Sequence, residues 1–234
     1  MRLARIETSE FNFWEGTFAA RVYFDDTPKK WRDGNVQAFY TINVLKSDNH
    51  PDYSECDFEY LSWDVWGGGN KNSKLYTVTW ETFANNPWSS NRAYSVLERA
   101  LQGWHTLLFT IVDGRTVRYY MDNKLIAQHT TSTVGDPVYP DAPMNISFIN
   151  WIATNQAGSG LGDSPDVRSS TMVVDWVYHA QGIELSTTQV EEKVADFRQN
   201  NVASLNSMGP ISHADDFGTI KTSVLEQNYP NPFN

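Results

Sequence analysis

The sequence predicts an all-β fold, a sandwich of antiparallel strands, followed by one C-terminal amphipathic helix. Three observations carry this expectation. From about position 11 to 178, short apolar or aromatic runs are broken every few residues by Gly, Asn, Asp and Pro, the punctuation of many short strands. No long stretch in that region keeps a helical period. Asp113-Gly114-Arg115 joins two of the runs with a turn in which Gly114 can take a positive φ, so a hairpin is expected over 106–120.

The strands are expected at 16–24, 36–45, 55–61, 75–80, 104–112, 117–121, 146–151 and 172–178, where β-branched and aromatic residues concentrate. A further turn is read at Met121-Asp122-Asn123-Lys124. In 187–201 the pattern changes. Val190, Val194 and Phe197 recur at helical spacing, and Thr188 with Glu191 three positions later reads as a capping box, so one helix with a narrow apolar stripe is expected to dock on the sandwich or on a neighbouring segment. Beyond it the chain is polar and turn-rich. The organisation read from these shifts is a sandwich over 1–182, a helix within 183–203 and a linker with terminus over 204–234.

Composition narrows the function. The 234 residues include nine Trp, eleven Tyr and twelve Phe, flat apolar surface suited to filling a core or to stacking on sugar rings. A net charge of −10 and a pI near 4.9 repel phosphate backbones, and the small basic group of Lys29, Lys30 and Arg32 makes no nucleic-acid footprint. No apolar run reaches the roughly 18 residues of a membrane span, and the first ten residues lack the apolar centre of a signal peptide. Cys56 stands alone, which excludes an internal disulfide framework and suits a small buried side chain.

The pattern richest in chemistry is Ser54-Glu55-Cys56-Asp57-Phe58-Glu59-Tyr60-Leu61. On a strand, alternate side chains share a face, so Glu55, Asp57 and Glu59 form a carboxylate row backed by Cys56, Phe58 and Tyr60. Three acids side by side repel one another and lift at least one pKa, which a solvated strand has no reason to accept. Retaining glycoside hydrolysis needs two carboxyl groups about 5–5.5 Å apart, one nucleophile and one proton donor. The Cα atoms of Glu55 and Glu59 lie roughly 13 Å apart along a strand, and their long side chains can lean together over Asp57. A plain acidic strand face or a cation-binding edge is the rival reading of the same row. The five His are scattered without paired metal spacing, which argues against a catalytic metal. Gly158-Ser159-Gly160-Leu161-Gly162 precedes no helix and reads as a loop, not a phosphate cradle.

The Glu-x-Asp-x-Glu strand resembles the active-site strand of glycoside hydrolase family 16, a family of concanavalin A-like β-jelly-roll endo-glycanases and transglycosylases. Weaker matches stand around it in order: Phe13-Trp14-Glu15-Gly16-Thr17-Phe18-Ala19-Ala20-Arg21, then Val36-Gln37-Ala38-Phe39-Tyr40. Trp104-His105-Thr106 with Tyr120-Met121-Asp122-Asn123 follows, then the strand from Asn145 to Trp151 and Met172-Val173-Val174-Asp175-Trp176-Val177-Tyr178. The likeness covers about residues 5 to 180. It departs from the family at Cys56, Ser54, Ser62 and Ile111, none of them a catalytic carboxylate.

The resemblance implies that Glu55 is the nucleophile, Asp57 its assisting acid and Glu59 the general acid/base. It places Trp151, Trp66, Trp63, Trp104 and His105 as candidate substrate contacts and Asp175 as a candidate ligand of a structural calcium, with no cofactor required, and makes the expected partner a polysaccharide met by a monomer. Three functions remain open at this stage: a retaining endo-hydrolase of a β-linked glucan or galactan, a non-catalytic carbohydrate-binding module on the same scaffold, and a transglycosylase. Leu225-Glu226-Gln227-Asn228-Tyr229-Pro230-Asn231-Pro232-Phe233-Asn234 resembles the start of a type IX secretion sorting domain, which implies a secreted or cell-surface bacterial protein. With no strand read ahead of position 16, the chain is expected to be a fragment cut at both ends, with an exposed sheet edge.

Overall fold

A computed structural model describes residues 2–26, 35–62, 72–152 and 170–205. Within them eleven strands and one helix follow in order: β1 (Arg2–Glu7), β2 (Gly16–Phe24), β3 (Val36–Ile42), β4 (Glu55–Leu61), β5 (Lys74–Asn85), β6 (Trp88–Glu98), β7 (Gly103–Ile111), β8 (Val117–Met121), β9 (Lys124–His129), β10 (Asn145–Ile152), β11 (Val173–Ala180) and α1 (Thr187–Gln199). They build two antiparallel sheets, one of six strands in the order β1-β10-β3-β4-β5-β6 and one of five in the order β11-β2-β7-β8-β9. This is the jelly-roll sandwich the sequence predicts.

Period-2 alternation fills the space between the sheets. Cys56, Phe58 and Tyr60 of β4 point inward with Phe39, Phe148 and Leu75, and meet Phe18, Val22, Leu107, Phe109 and Tyr119 of the other sheet in one apolar core. The Phe18 and Phe109 rings stack 4.8 Å apart, and Phe58 meets Tyr119 edge-on at 5.2 Å. Burying one face in this way commits the opposite face of β4 to Glu55, Asp57 and Glu59.

The turns form as read. Gly114 takes φ 69°, with Asp113 Oδ1 accepting from the amides of Arg115 and Thr116, and Asp122 and Asn123 adopt φ 49° and 64° between β8 and β9. Three strands exceed the sequence reading: β1, β6 and β9. The presence of β1 corrects the expectation that nothing precedes position 16, because it pairs with β10 from Arg2↔Ile152 to Glu7↔Ser147.

The helix is capped by Ser186 and Gln189, not by Thr188 and Glu191. Ser186 Oγ accepts from the Gln189 amide at 3.3 Å while Gln189 Oε1 accepts from the Ser186 amide at 2.9 Å, so the box begins two residues earlier than expected. Val190 and Val194 pack with Ala19, Leu108, Tyr120, Trp176 and Tyr178 on the outer face of the five-stranded sheet. Glu191 and Arg198 tie the helix down further, accepting from Thr106 Oγ1 at 2.7 Å and donating to Asp175 Oδ1 at 2.6 Å.

Candidate active site

β4 lies inside the six-stranded sheet, between β3 and β5, so its carboxylate face is flanked on both sides. The register sets Glu55 beside Ile42 and Trp80, Asp57 beside Tyr40 and Val78, and Glu59 beside Ala38 and Tyr76. Arg92 and Tyr94 of β6 continue the rows outward beyond Trp80 and Val78. On the other flank Arg5 lies beside Ile149.

The three acids are held differently. Tyr53 donates its hydroxyl proton to Glu55 Oε2, and Asp57 bonds the same carboxyl, so Glu55 has two side-chain partners. Asp57, only 3% exposed, accepts at Oδ2 from Trp80 Nε1 at 3.1 Å. Glu59 Oε2 is buried and has no hydrogen-bond partner among the described residues. Arg92 stacks its guanidinium 4.5 Å from the centre of the Trp80 ring, and Arg5 lies 5.7 Å from that of Tyr40, one cation to each side of the row.

Burial raises all three carboxyl groups. Glu55 is pushed up to about 7, opposed by the hydrogen bonds from Tyr53 and Asp57 and by the charges of Arg5 and Arg92. Glu59 is pushed up to about 8 by burial and by the Glu55 charge, with Arg92 alone opposing. Asp57 rises well above the carboxylate range through burial and the charges of both neighbours, which makes it the protonated donor in its bond to Glu55. Three crowded acids cannot all ionise at neutral pH, and the anion is best supported where donors converge, on Glu55. The arrangement therefore offers a carboxylate and a protonated carboxyl on one face, the pair that general acid and nucleophilic chemistry require.

The sequence-predicted contacts separate. Trp151 lies on the carboxylate face but is 8% exposed, packed with Val36, Leu61, Leu3 and Tyr76. Trp63 and Trp66 lie outside the described residues. Trp104 and His105 belong to β7 in the opposite sheet and do not reach the carboxylates. Trp104 is 42% exposed beside Tyr23, and His105 bonds Asp122 at 2.7 Å and the Leu101 carbonyl at 3.1 Å, a satisfied structural histidine. The Asp175 carboxylate accepts from Arg198, and among the described residues no three His, Cys, Asp or Glu side chains gather to hold a metal ion.

Four residues of the site escape a motif search: Tyr53, Trp80, Arg92 and Arg5. Trp80 and Arg92 become neighbours of the row only through strand register. Tyr53 carried a signal, since it stands two residues before Glu55 and continues the same alternation. Near Glu55, Trp80, Tyr53 and Trp88 gather around Phe83, with ring centroids 5.1 to 5.9 Å apart.

Comparison with known proteins agrees with this fold. The profile of "Glycosyl hydrolases family 16" matches residues 4–178. No curated protein matches the chain. Among solved structures, a Bacteroides ovatus family 16 protein from a mixed-linkage glucan locus, in complex with a G4G4G3G product, superposes with a TM-score of 0.53 at 15% identity, covering 76% of this chain and 80% of that one. A structure described with endo-acting O-glycanases that initiate mucin breakdown, from human gut microbiota, gives 0.53 at 15% identity over 73% of this chain and 59% of its own. The chain thus spans less than two thirds of that relative's length. The laminarinase of Flavobacterium sp. UMI-01 gives 0.50 at 14% identity over 76% and 78%.

Proposed function

The chain belongs to glycosyl hydrolases family 16, and from that premise we propose that it is an endo-acting hydrolase cleaving a β-linked polysaccharide, a mixed-linkage glucan, laminarin or a marine galactan, with retention at the anomeric carbon. Glu59 gives its proton to the glycosidic oxygen as the Glu55 carboxylate bonds to the anomeric carbon and the leaving chain departs. Water then gives a proton to Glu59, its oxygen bonds to the anomeric carbon, and the bond to Glu55 breaks. Asp57 stays protonated and hydrogen-bonded to Glu55, spreading the charge that Glu55 carries before attack and regains when its bond to the sugar breaks. The chemistry uses two carboxyl groups and water and asks for no cofactor. The sorting-domain likeness of 225–234 supports a secreted or cell-surface enzyme.

One observation carries the reading. On the face of β4 turned from the core, Glu55 has two side-chain partners while Glu59 Oε2, a buried polar atom, has none among the described residues. A buried carboxyl oxygen without a partner is costly, and a glycosidic oxygen would satisfy it.

Reducing-end release from barley β-glucan, laminarin, agarose and xyloglucan tests the proposal, with the full chain and its Glu55→Gln variant compared. At least one polymer is expected to be cut, with a loss of about 10³-fold or more in the variant, and proton NMR is expected to show the β-anomer released first. Binding without release from any of the four would favour the binding-module reading. Undiminished activity in Glu55→Gln would remove Glu55 as nucleophile.

A further inference from the structure

We propose that Tyr53 is a positioning residue that fixes the negative charge of the acidic row on Glu55, and so leaves the proton on Glu59. The inference rests on the roles proposed above for the two glutamates. It starts from an asymmetry of donors. Glu55 receives the Tyr53 hydroxyl, whereas Glu59 Oε2 has no hydrogen-bond partner among the described residues, so the row is not electrically equivalent at its two ends. A carboxylate that accepts a hydrogen bond is stabilised over its protonated form, and a shared proton then resides on the other acid.

Tyr53 is built for that task. Its ring is buried against Val78 and Trp80 and meets Phe83 edge-on at 5.1 Å. Its amide donates to the His50 carbonyl at 3.2 Å, and the next residue is clamped from two sides: the Asn43 amide donates to the Ser54 carbonyl at 2.9 Å, and the Asp141 and Ala142 amides donate to Ser54 Oγ at 3.1 and 3.3 Å. The hydroxyl is therefore held toward Glu55 by backbone and ring together. Burial and the neighbouring Glu55 charge keep the phenol protonated, so it remains a donor wherever the row titrates.

The test is a carboxyl-carbon NMR titration of the full chain labelled at glutamate Cδ, with Glu55 and Glu59 assigned from their Gln variants. In Tyr53→Phe, which keeps the ring, the Glu55 resonance is expected to titrate about one pH unit higher and that of Glu59 lower. In the Glu55→Gln background, the same Tyr53→Phe change is expected to leave Glu59 unmoved. An unchanged Glu55 titration, or a Glu59 shift that persists when Glu55 is Gln, would overturn the proposal, the latter because it marks a loosened fold. Should Tyr53→Phe fail to fold, Phe83→Leu keeps the hydroxyl, frees the ring and is expected to move Glu55 the same way by less; no movement there overturns it too. The titration reads Tyr53 whether or not any polymer is cut, so its failure is distinct from failure of the hydrolase reading. Where a polymer is cut, the acid limb of kcat is expected to shift upward with KM little changed.

Discussion

At the residue scale, Glu55 and Glu59 are two copies of one side chain in different surroundings, and the proposed mechanism gives them different tasks. In that mechanism attack requires Glu55 ionised, so activity is expected to fall below the pH at which it takes up its proton, about 7. Donation requires Glu59 protonated, so activity falls above about 8. A narrow bell in kcat/KM centred between those values is expected, read from initial rates at constant ionic strength. The same shift has a stability consequence of opposite sign to the usual carboxylate. Glu59 ionises near 4.5 when unfolded and near 8 when folded, so its contribution to stability is intact below about pH 4.5 and is lost as pH rises through 8. Glu59→Gln should match the parent in unfolding free energy from urea titration at pH 4 and exceed it at pH 9 by on the order of 2 kcal/mol, since the three acids share the shift. A gap that is constant with pH would contradict the linkage.

At the element scale, the strands that escaped the sequence reading share one property: β1, β6 and β9 are all sheet edges. An edge strand has one partner and need not alternate cleanly: Arg2–Glu7 interleaves charged and apolar residues, and Trp88–Glu98 puts Trp88, Arg92, Tyr94 and Glu98 on one face against mostly small polar residues on the other. Interior strands such as β2 and β4 are bound to alternation by the core and are legible to the residue. The acidic row was legible for the same reason. Its companions Trp80 and Arg92 were not, because their place depends on β5 and β6 register, and a bulge at Glu81 resets that register between Trp80 and Thr82. The helix was legible by its stripe, but its cap lay two residues before the pair that scans best. A sharper element-level test lies at Gly16, where β2 begins at φ +109° and an added Cβ would fall 2.0 Å from the Ala180 carbonyl oxygen of β11. That oxygen is backbone in a paired strand and cannot swing away. Gly16→Ala should cost about 3 kcal/mol or more, visible as a large drop in urea midpoint; a change under about 1 kcal/mol would show that β11 can shift.

At the scale of the whole molecule, the two sheets are joined by polar groups as well as by core. His129 at the end of β9 bonds Thr79 Oγ1 of β5 at 2.9 Å and Ser95 Oγ of β6 at 3.1 Å, while Tyr119 of β8 donates to the Val78 carbonyl at 2.6 Å. Burial depresses His129 to about 4, so the folded protein keeps it neutral. A folded value below the unfolded 6.5 means that the unfolded chain binds this proton first, and stability drawn from His129 is lost as pH falls from 6.5 toward 4. Replacing it by Gln should therefore change the stability difference from the parent by about 3 kcal/mol between pH 7.5 and 4, with the parent losing ground at the acid end. The acids of the row act in the other direction. In the folded state Glu55 keeps its proton up to about pH 7, Glu59 up to about 8 and Asp57 well above the carboxylate range, whereas the unfolded chain releases all three near their ordinary values of 3.8 to 4.5, three carboxyls set against one imidazole. The carboxyls outweigh it, so urea midpoints of the full chain are expected to fall from about pH 5 to pH 8, across the range in which Glu55 loses its proton. In a Glu55→Gln/Glu59→Gln double variant most of that fall should vanish. If the parent were instead most stable near pH 8, the acidic row would be ionised in the folded protein and the division of charge between Glu55 and Glu59 would not stand.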